Sequence, residues 1–514
     1  MSFDAIVVGA GHNGLVCAAY LARAGFRTAL VDARDSVGGC ASTVDALDGA
    51  RVNICNCDHR TVRTTPILDE LDLAAHGLTY LDVEPAGLYL MHDESPAWPL
   101  FQDAERTIDG LRATHPHEVD GYRRYLRAAV PIARLLVDLA NGPPTPRRVV
   151  QRVLRSHVAA APTLLNWSRM SAAAVMRSFF SSEALIAPLC ASGPAVWGVS
   201  PELAGTGLGA VAYAMSHATP LGRPVGGSGS LPMALDRAFA AFGGTTFTGE
   251  RVDRILCEGS AVRGVRTDAG REFLAPVVVS AVDPRVTFLE WLADPPACVG
   301  TIVAKYRRQS GADGYESKLD AIATSRPTYR ALDPKLADRL GFDPLVPTAF
   351  IAPTVAEMHQ AWQAMSTGTV MDRPIMFANM PSVLDPTMRP ACGGDIFSLE
   401  VLYTPFEHRG GWPSSMEPQR WLGVYSGLVE PGFALDRYRA MTPDRYESEF
   451  NLPRGHATAF SGGPLAAVLG RNRELTRYDT PLRGLYLTGA ATFPGAGIWG
   501  ASGRNTANVV LAKS

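Results

Sequence analysis

The chain has 514 residues, 46% apolar and 19% charged, which excludes a disordered or fibrous protein and leaves room for two or more domains. Its formal net charge of −2 creates no field that would draw in nucleic acid. The eight cysteines are scattered, with neither a CxxC pair nor zinc-like spacing, so the expected setting is reduced and cytoplasmic with no metal site.

No signal-peptide pattern precedes Phe3, and no apolar run approaches the ~18 residues that span a bilayer. Residues 3–8, apolar but for Asp4, are read as a buried strand, which Gly9, Gly11 and Gly14 then break. Leu15, Ala18, Ala19 and Ala22 recur at helical spacing, Gly25 stops the helix, and residues 27–32 give a second strand. This is a complete βαβ unit. Residues 81–219 carry arginine-rich helical patterns, with a proline-rich break at 142–146. Gly226 to Ser230 opens a short helix, and residues 252–255, 262–267 and 277–280 alternate like strands of a meander. The pattern is mixed from 296 to 459, and residues 484–488 supply a last buried strand.

Within the βαβ unit, Gly9 permits the tight turn out of the strand, Gly11 lets backbone approach a pyrophosphate, and Gly14 allows helix to pack closely on strand. His12 and Asn13 sit in this loop, where the helix N-terminus offers free N–H groups and partial positive charge. Asp32 ends the second strand at the spacing of a carboxylate that holds a ribose hydroxyl, and Ala33 and Arg34 follow it. A second glycine pair, Gly38-Gly39, precedes Cys40. Two loops approaching one dinucleotide point to FAD rather than NAD. The expected fold is α/β, with a Rossmann-type FAD-binding domain assembled from 1–80, 220–295 and 460–514. An α+β substrate domain, 81–219 and 296–459, is inserted between these segments.

These residues resemble the amine-oxidase and phytoene-desaturase superfamily of FAD enzymes, whose pattern is an acid, a short loop and Gly-Gly. Cys40 stands where many members carry arginine. The resemblance extends through residues 224–231 and Gly243-Gly244, through Val252, whose backbone meets the adenine in such enzymes, and through the strand leading to Ala281. Near the C-terminus Gly489, Ala490, Gly497, Ile498 and Ala501 lie in a segment similar to the family's flavin-closing motif, with Ala490 in place of a common acidic residue. Residues 381–387, with Met358, His359 and Trp362, resemble the phytoene-desaturase-like branch.

The resemblance implies an enzyme that removes a hydride from a C–H bond of a mainly apolar or amphipathic small molecule, by desaturation or by oxidation beside N or O. The alternatives are a flavin-dependent isomerase and a non-catalytic prenyl-binding chaperone of the same fold. Three side chains are candidates for chemistry. His59 is a base, a covalent flavin tether or a hydrogen-bonded loop histidine, and His456 faces the substrate or packs. In amine-oxidase-like relatives a lysine in a comparable strand holds a water near flavin N5. Lys318 is the candidate here, against the alternatives of a solvent-facing lysine and of Lys305. Arg123, Arg124, Arg127, Arg134, Arg147, Arg148, Arg152 and Arg155 form either a solvated helix surface or a membrane-docking face.

Overall fold

The computed structural model of the protein describes residues 1–47, 49–55, 57–93, 95–309, 313–456 and 467–514. Five parallel strands form a sheet in the order Leu485–Leu487, Val277–Ser280, Ala5–Val8, Thr28–Val31, Thr245–Phe247. Parallel strands covered by helices on both faces read as unbroken apolar runs, and Ala5–Val8 and Thr28–Val31 are buried at every position. The helices His12–Arg23, Ser230–Ala241 and Ala501–Leu511 cover one face. A three-stranded antiparallel sheet and the aromatic residues Phe288, Trp291 and Tyr306 cover the other.

The expected meander needs one correction. Its strands are Val252–Glu258, Ala261–Thr267 and Glu272–Leu274, whereas Val277–Ser280 lies parallel to Ala5–Val8 in the main sheet. The unbroken run Val277-Val278-Val279 suits a strand covered on both faces, while Glu272-Phe273-Leu274 alternates and suits a half-exposed one.

A second sheet has seven strands in the order Leu435–Met441, Glu316–Ala323, Asp395–Leu402, Met376–Asn379, Ala349–Ala352, Gly87–Met91, Trp98–Leu100. One face is apolar, carrying Leu88, Leu319, Ile351, Met376, Leu399 and Val401 under the packed rings of Trp421 and Tyr425. On the other face the register aligns one row across the whole sheet: Met441, Lys318, Glu400, Phe377, Phe350, Tyr89 and Trp98. The row runs from charged to aromatic. Phe350 stacks on Tyr89 at 5.0 Å, and Tyr89 on Trp98 at 4.7 Å.

Helices between residues 104 and 218 pack against this aromatic end, the longest being Val119–Ala140. Its apolar stripe includes Tyr122, Tyr125, Ala129, Ile132 and Leu135, all buried. Arg148 is not a solvated surface arginine. Its guanidinium donates to the carbonyls of Leu139 (2.7 Å), Gly142 (2.6 Å) and Asp138 (2.9 Å), satisfying acceptors that the helix end leaves open. Arg123 pairs with Glu105 on the surface, and Arg124 donates to the Phe179 carbonyl. Beyond the proline break, Val150, Leu154, Val158 and Leu165 are exposed. Among the described residues no helix is long and apolar enough to cross a membrane.

Candidate functional site

The glycine loop between Ala5–Val8 and His12–Arg23 is shaped by its acid. Asp32 accepts from the Ala10 N–H at 2.6 Å and from the Arg34 N–H at 2.8 Å. Burial raises its pKa, and the two backbone N–H groups and Arg34 oppose that rise. Gly9 has φ of +105°, which a side chain would strain. A Cβ on Gly14 would run into the Gly9 carbonyl oxygen, whereas one on Gly11 would meet nothing within 4 Å. The loop is therefore tight towards its helix and open at Gly11.

The second glycine pair docks on the first loop. Gly38 N–H donates to the Ala10 carbonyl at 2.8 Å, and a Cβ on Gly39 would come 3.4 Å from the Gly11 Cα. Ala33 and Arg34 complete the turn after Asp32. Arg34 donates to Ser42 Oγ at 3.2 Å and lies 4.3 Å over the Phe450 ring.

The last helix closes the cradle, because a Cβ on Gly503 would strike the Asn13 carbonyl and the two helices touch backbone to backbone. Before it, Gly489 N–H donates to Ser502 Oγ at 3.0 Å, and Ser502 also bonds Thr488 and Thr492. Gly497 has φ of +103°, and the Ile498 carbonyl accepts from Thr61 Oγ1 at 2.6 Å. Ala281 sits between the two glycine segments, 3.3 Å from Cβ positions built on Gly9 and Gly489. Ala490 and Ala501 flank the same place in sequence, and Val252, 5% exposed, opens the antiparallel sheet behind it. Ring nitrogen Nε2 of His12 meets Asn13 Nδ2 at 3.0 Å. Burial lowers the His12 pKa to about 4, against a hydrogen bond to the Gly497 backbone that favours the charged form, so the ring is neutral.

Three stretches of chain thus converge on one helix N-terminus, with backbone N–H groups, a carboxylate and no bulky side chain. That donor set fits the pyrophosphate and ribose of a dinucleotide.

The candidate catalytic side chains sit differently from a free base or a free ammonium. Both ring nitrogens of His59 are engaged, Nδ1 with Tyr80 Oη and Nε2 with Ser228 Oγ, each at 2.9 Å. Burial lowers its pKa to about 3. A base or a covalent tether needs a free nitrogen, so the arrangement matches the hydrogen-bonded loop histidine. Lys318 is 1% exposed and not solvent-facing. Its ammonium donates to the Asn53 carbonyl (2.7 Å), Ser398 Oγ (3.2 Å) and the Asp320 carboxylate, which uses all three of its hydrogens. No donor is left for a water beside the cofactor. Lys305 pairs with Glu474 instead. His456 is buried, burial lowers its pKa to about 4, and its ring meets Tyr315 edge-on at 4.6 Å. Residues 457–460, which follow it in the same sequence segment, lie outside the described residues.

Several residues that sequence reasoning missed surround these three. Asp58 and Arg223 form a buried ion pair at 2.6 Å, and Thr348 donates to the same carboxylate. Burial works to raise the Asp58 pKa, but the Arg223 charge and hydrogen bond outweigh it and the net shift is downward. Glu316 and Glu400 lie beside Lys318, each with one buried oxygen that has no hydrogen-bond partner. The alternation Glu316, Lys318, Asp320 is a signal that could have placed three ionisable groups on one strand face. Asp385, within the segment 381–387, accepts from the Gly226 N–H at 2.6 Å and ties that segment to the central glycine run.

The family model of the NAD(P)-binding Rossmann-like domain matches residues 7–66. A rat protein, pyridine nucleotide-disulfide oxidoreductase domain-containing protein 2, is 27% identical over 99% of this chain and 93% of its own length. A lycopene-forming phytoene desaturase from Paracoccus sp. is 25% identical over 99% of this chain and 97% of its own. Putrescine oxidase bound to putrescine shares the fold, with a TM-score of 0.62 at 17% identity over 100% of this chain and 99% of that one. Over nearly its whole length the chain is thus similar to desaturase- and oxidoreductase-named relatives, and it shares the fold of an amine oxidase. It is an oxidoreductase, with FAD as its cofactor.

Proposed function

We propose that this enzyme removes a hydride from a C–H bond of an amphipathic small molecule. The observation that carries the reading is the convergence of the Gly9–Gly14 loop, the Gly38-Gly39 pair and the last helix on one open, backbone-lined cradle, next to a sheet face graded from charged to aromatic.

In this reading Gly9, Gly11, His12, Asn13 and Gly14 hold the pyrophosphate, and Asp32, Ala33 and Arg34 the adenosine ribose. Val252 lies at the adenine. Gly38, Gly39, Cys40, Ala281, Gly489, Ala490, Gly497, Ile498 and Ala501 line the rest. FAD, when bound, supplies a two-electron acceptor for hydride. The chain's own part is to orient the substrate, exclude water and handle the proton. His12 and His59, both neutral and hydrogen-bonded, position the loops. Lys318 contributes a fixed positive charge, balanced by Asp320.

The FAD-binding unit comprises 1–80, 220–295 and 460–514, so a fragment 1–300 would lack the closing strand and helix and hold no flavin. The reduced thiols of the eight cysteines fit a cytoplasmic protein. Exposed Val150, Leu154 and Val158 beside Arg147, Arg152 and Arg155 favour peripheral contact with a lipid surface, from which an apolar substrate is collected.

The test is anaerobic mixing of the purified enzyme with pooled small molecules, followed at the flavin absorbance and by product mass. Bleaching with a product two hydrogens lighter supports the reading. A product isomeric with its substrate would replace it with isomerisation.

A further inference from the structure

Glu316 and Glu400 stand on adjacent antiparallel strands, Glu400 directly opposite Lys318 and Glu316 two residues along on the same face. Glu400 is 5% exposed, and Oε1 of each carboxyl is buried with no hydrogen-bond partner. Isolated buried carboxylate oxygens are costly, so such a pair persists where it has work outside the protein's own hydrogen bonds. Lys318 does not satisfy it, since the ammonium's three hydrogens already go to Asn53, Asp320 and Ser398.

Cys40, directly after the second glycine pair, contacts the Cys55 thiol, and both carboxyls act electrostatically on Cys55. The same two carboxyls also act electrostatically on Tyr315 and Tyr446. In the row across the sheet Glu400 is followed by Phe377, Phe350 and Tyr89. Polar and aromatic surface therefore adjoin beside the segment that leads out of the cofactor cradle.

We propose that Glu316 and Glu400 form the proton-accepting pair of the reaction, and that the substrate presents to them an alcohol or amine on the carbon that loses hydride. This rests on the hydride-removal reading. The balance is complete: the C–H bond breaks with its electron pair leaving as hydride to the cofactor, the O–H or N–H bond breaks, its pair becomes the new C=O or C=N π bond, and the proton goes to the carboxyl pair. A pure hydrocarbon would leave both oxygens unpaired.

The electrostatics agree. Burial raises Glu316 to about 7, offset in part by the Lys318 charge. Burial and then the negative charge of Glu316 raise Glu400 well above the carboxylate range, with Asp58 and Asp320 adding to it and Lys318 opposing. Both carboxyls therefore hold a proton more readily than a solvated carboxylate does.

The test uses the flavin-loaded enzyme, its cofactor-free form, Glu316→Gln, Glu400→Gln and the conservative Glu316→Asp. Infrared spectra of both forms at neutral pH are expected to show a protonated-carboxyl band that Glu400→Gln removes. A wild type without that band overturns the proton-holding pair. Anaerobic stopped-flow with aryl-alkyl alcohols and amines is expected to show flavin reduction about 100-fold slower or worse in Glu316→Gln, restored in part by Glu316→Asp. An unchanged rate in Glu316→Gln, or reduction by terpene hydrocarbons but by no alcohol or amine, overturns the proposal while hydride removal stands. If nothing reduces the wild-type flavin, hydride removal fails, and the infrared band alone decides the pair.

Discussion

The cofactor cradle and the polar end of the seven-stranded sheet solve opposite problems. The cradle is built almost wholly from backbone, with glycines removing the side chains that would fill it and one acid, Asp32, fixing its shape. The sheet end is built from side chains: Lys318 donates to Asp320 and Ser398, Arg223 pairs with Asp58, and Oε1 of Glu316 and of Glu400, Asp320 Oδ2 and Arg223 Nη1 are left without a hydrogen-bond partner. Binding a constant cofactor needs shape that local sequence can encode. Handling a particular substrate needs charges brought together across hundreds of residues.

The comparison breaks most readily at Arg223. Replacing Asp58 with Ala leaves that guanidinium buried without its carboxylate, and a loss of about 3–5 kcal/mol in chemical denaturation is expected. A loss under 1 kcal/mol would mean that water reaches the pair. In the cradle the expected effects are steric. Gly14→Ala forces a Cβ against the Gly9 carbonyl, with about 1–3 kcal/mol of destabilisation and loss of flavin during purification. Asp32→Ala is expected to weaken FAD binding by about 1.5–3 kcal/mol, measured by equilibrium dialysis, because it removes a charged acceptor from the loop.

A smaller effect separates the regions by pH. His12, His59 and His456 have lowered pKa values, so below about pH 6.5 the unfolded chain binds protons that the native one does not, and stability falls on acidification. Glu316, raised to about 7, acts with the opposite sign: the native state holds its proton where the unfolded state has lost it, which destabilises the fold as pH rises from the unfolded carboxyl range through about 7. Glu316→Gln removes that opposing contribution. Between pH 5 and 6 its stability is expected to fall with acidification more steeply than that of wild type, by about 1.4 kcal/mol per pH unit in urea titrations. Parallel curves would contradict a raised Glu316.

The two regions also differ in how far they could be read beforehand. Gly9, Gly11, Gly14, Asp32 and Gly38 lie within thirty residues of one another, and their spacing alone implies strand, turn, helix and acid. The same local logic misassigned Val277–Ser280, because periodicity says whether one face or both are covered but not by which neighbour. The sheet end was less legible still. Glu316 and Glu400 meet only through an antiparallel register across 84 positions of chain, and nothing near Lys318 shows that Asn53 and Ser398 will take its hydrogens. Arg148 illustrates the same limit, since an arginine in a charged run gives no hint that it will cap a helix end.

The most direct measurement of the central claim is the cofactor content of the purified full-length chain, read from its visible spectrum and by mass spectrometry of what denaturation releases. The purified protein is expected to be yellow and to release FAD in a ratio approaching one per chain, with Gly14→Ala and Asp32→Ala depleted of it. A colourless wild type that takes up no FAD on reconstitution, or one that releases FMN, would contradict it.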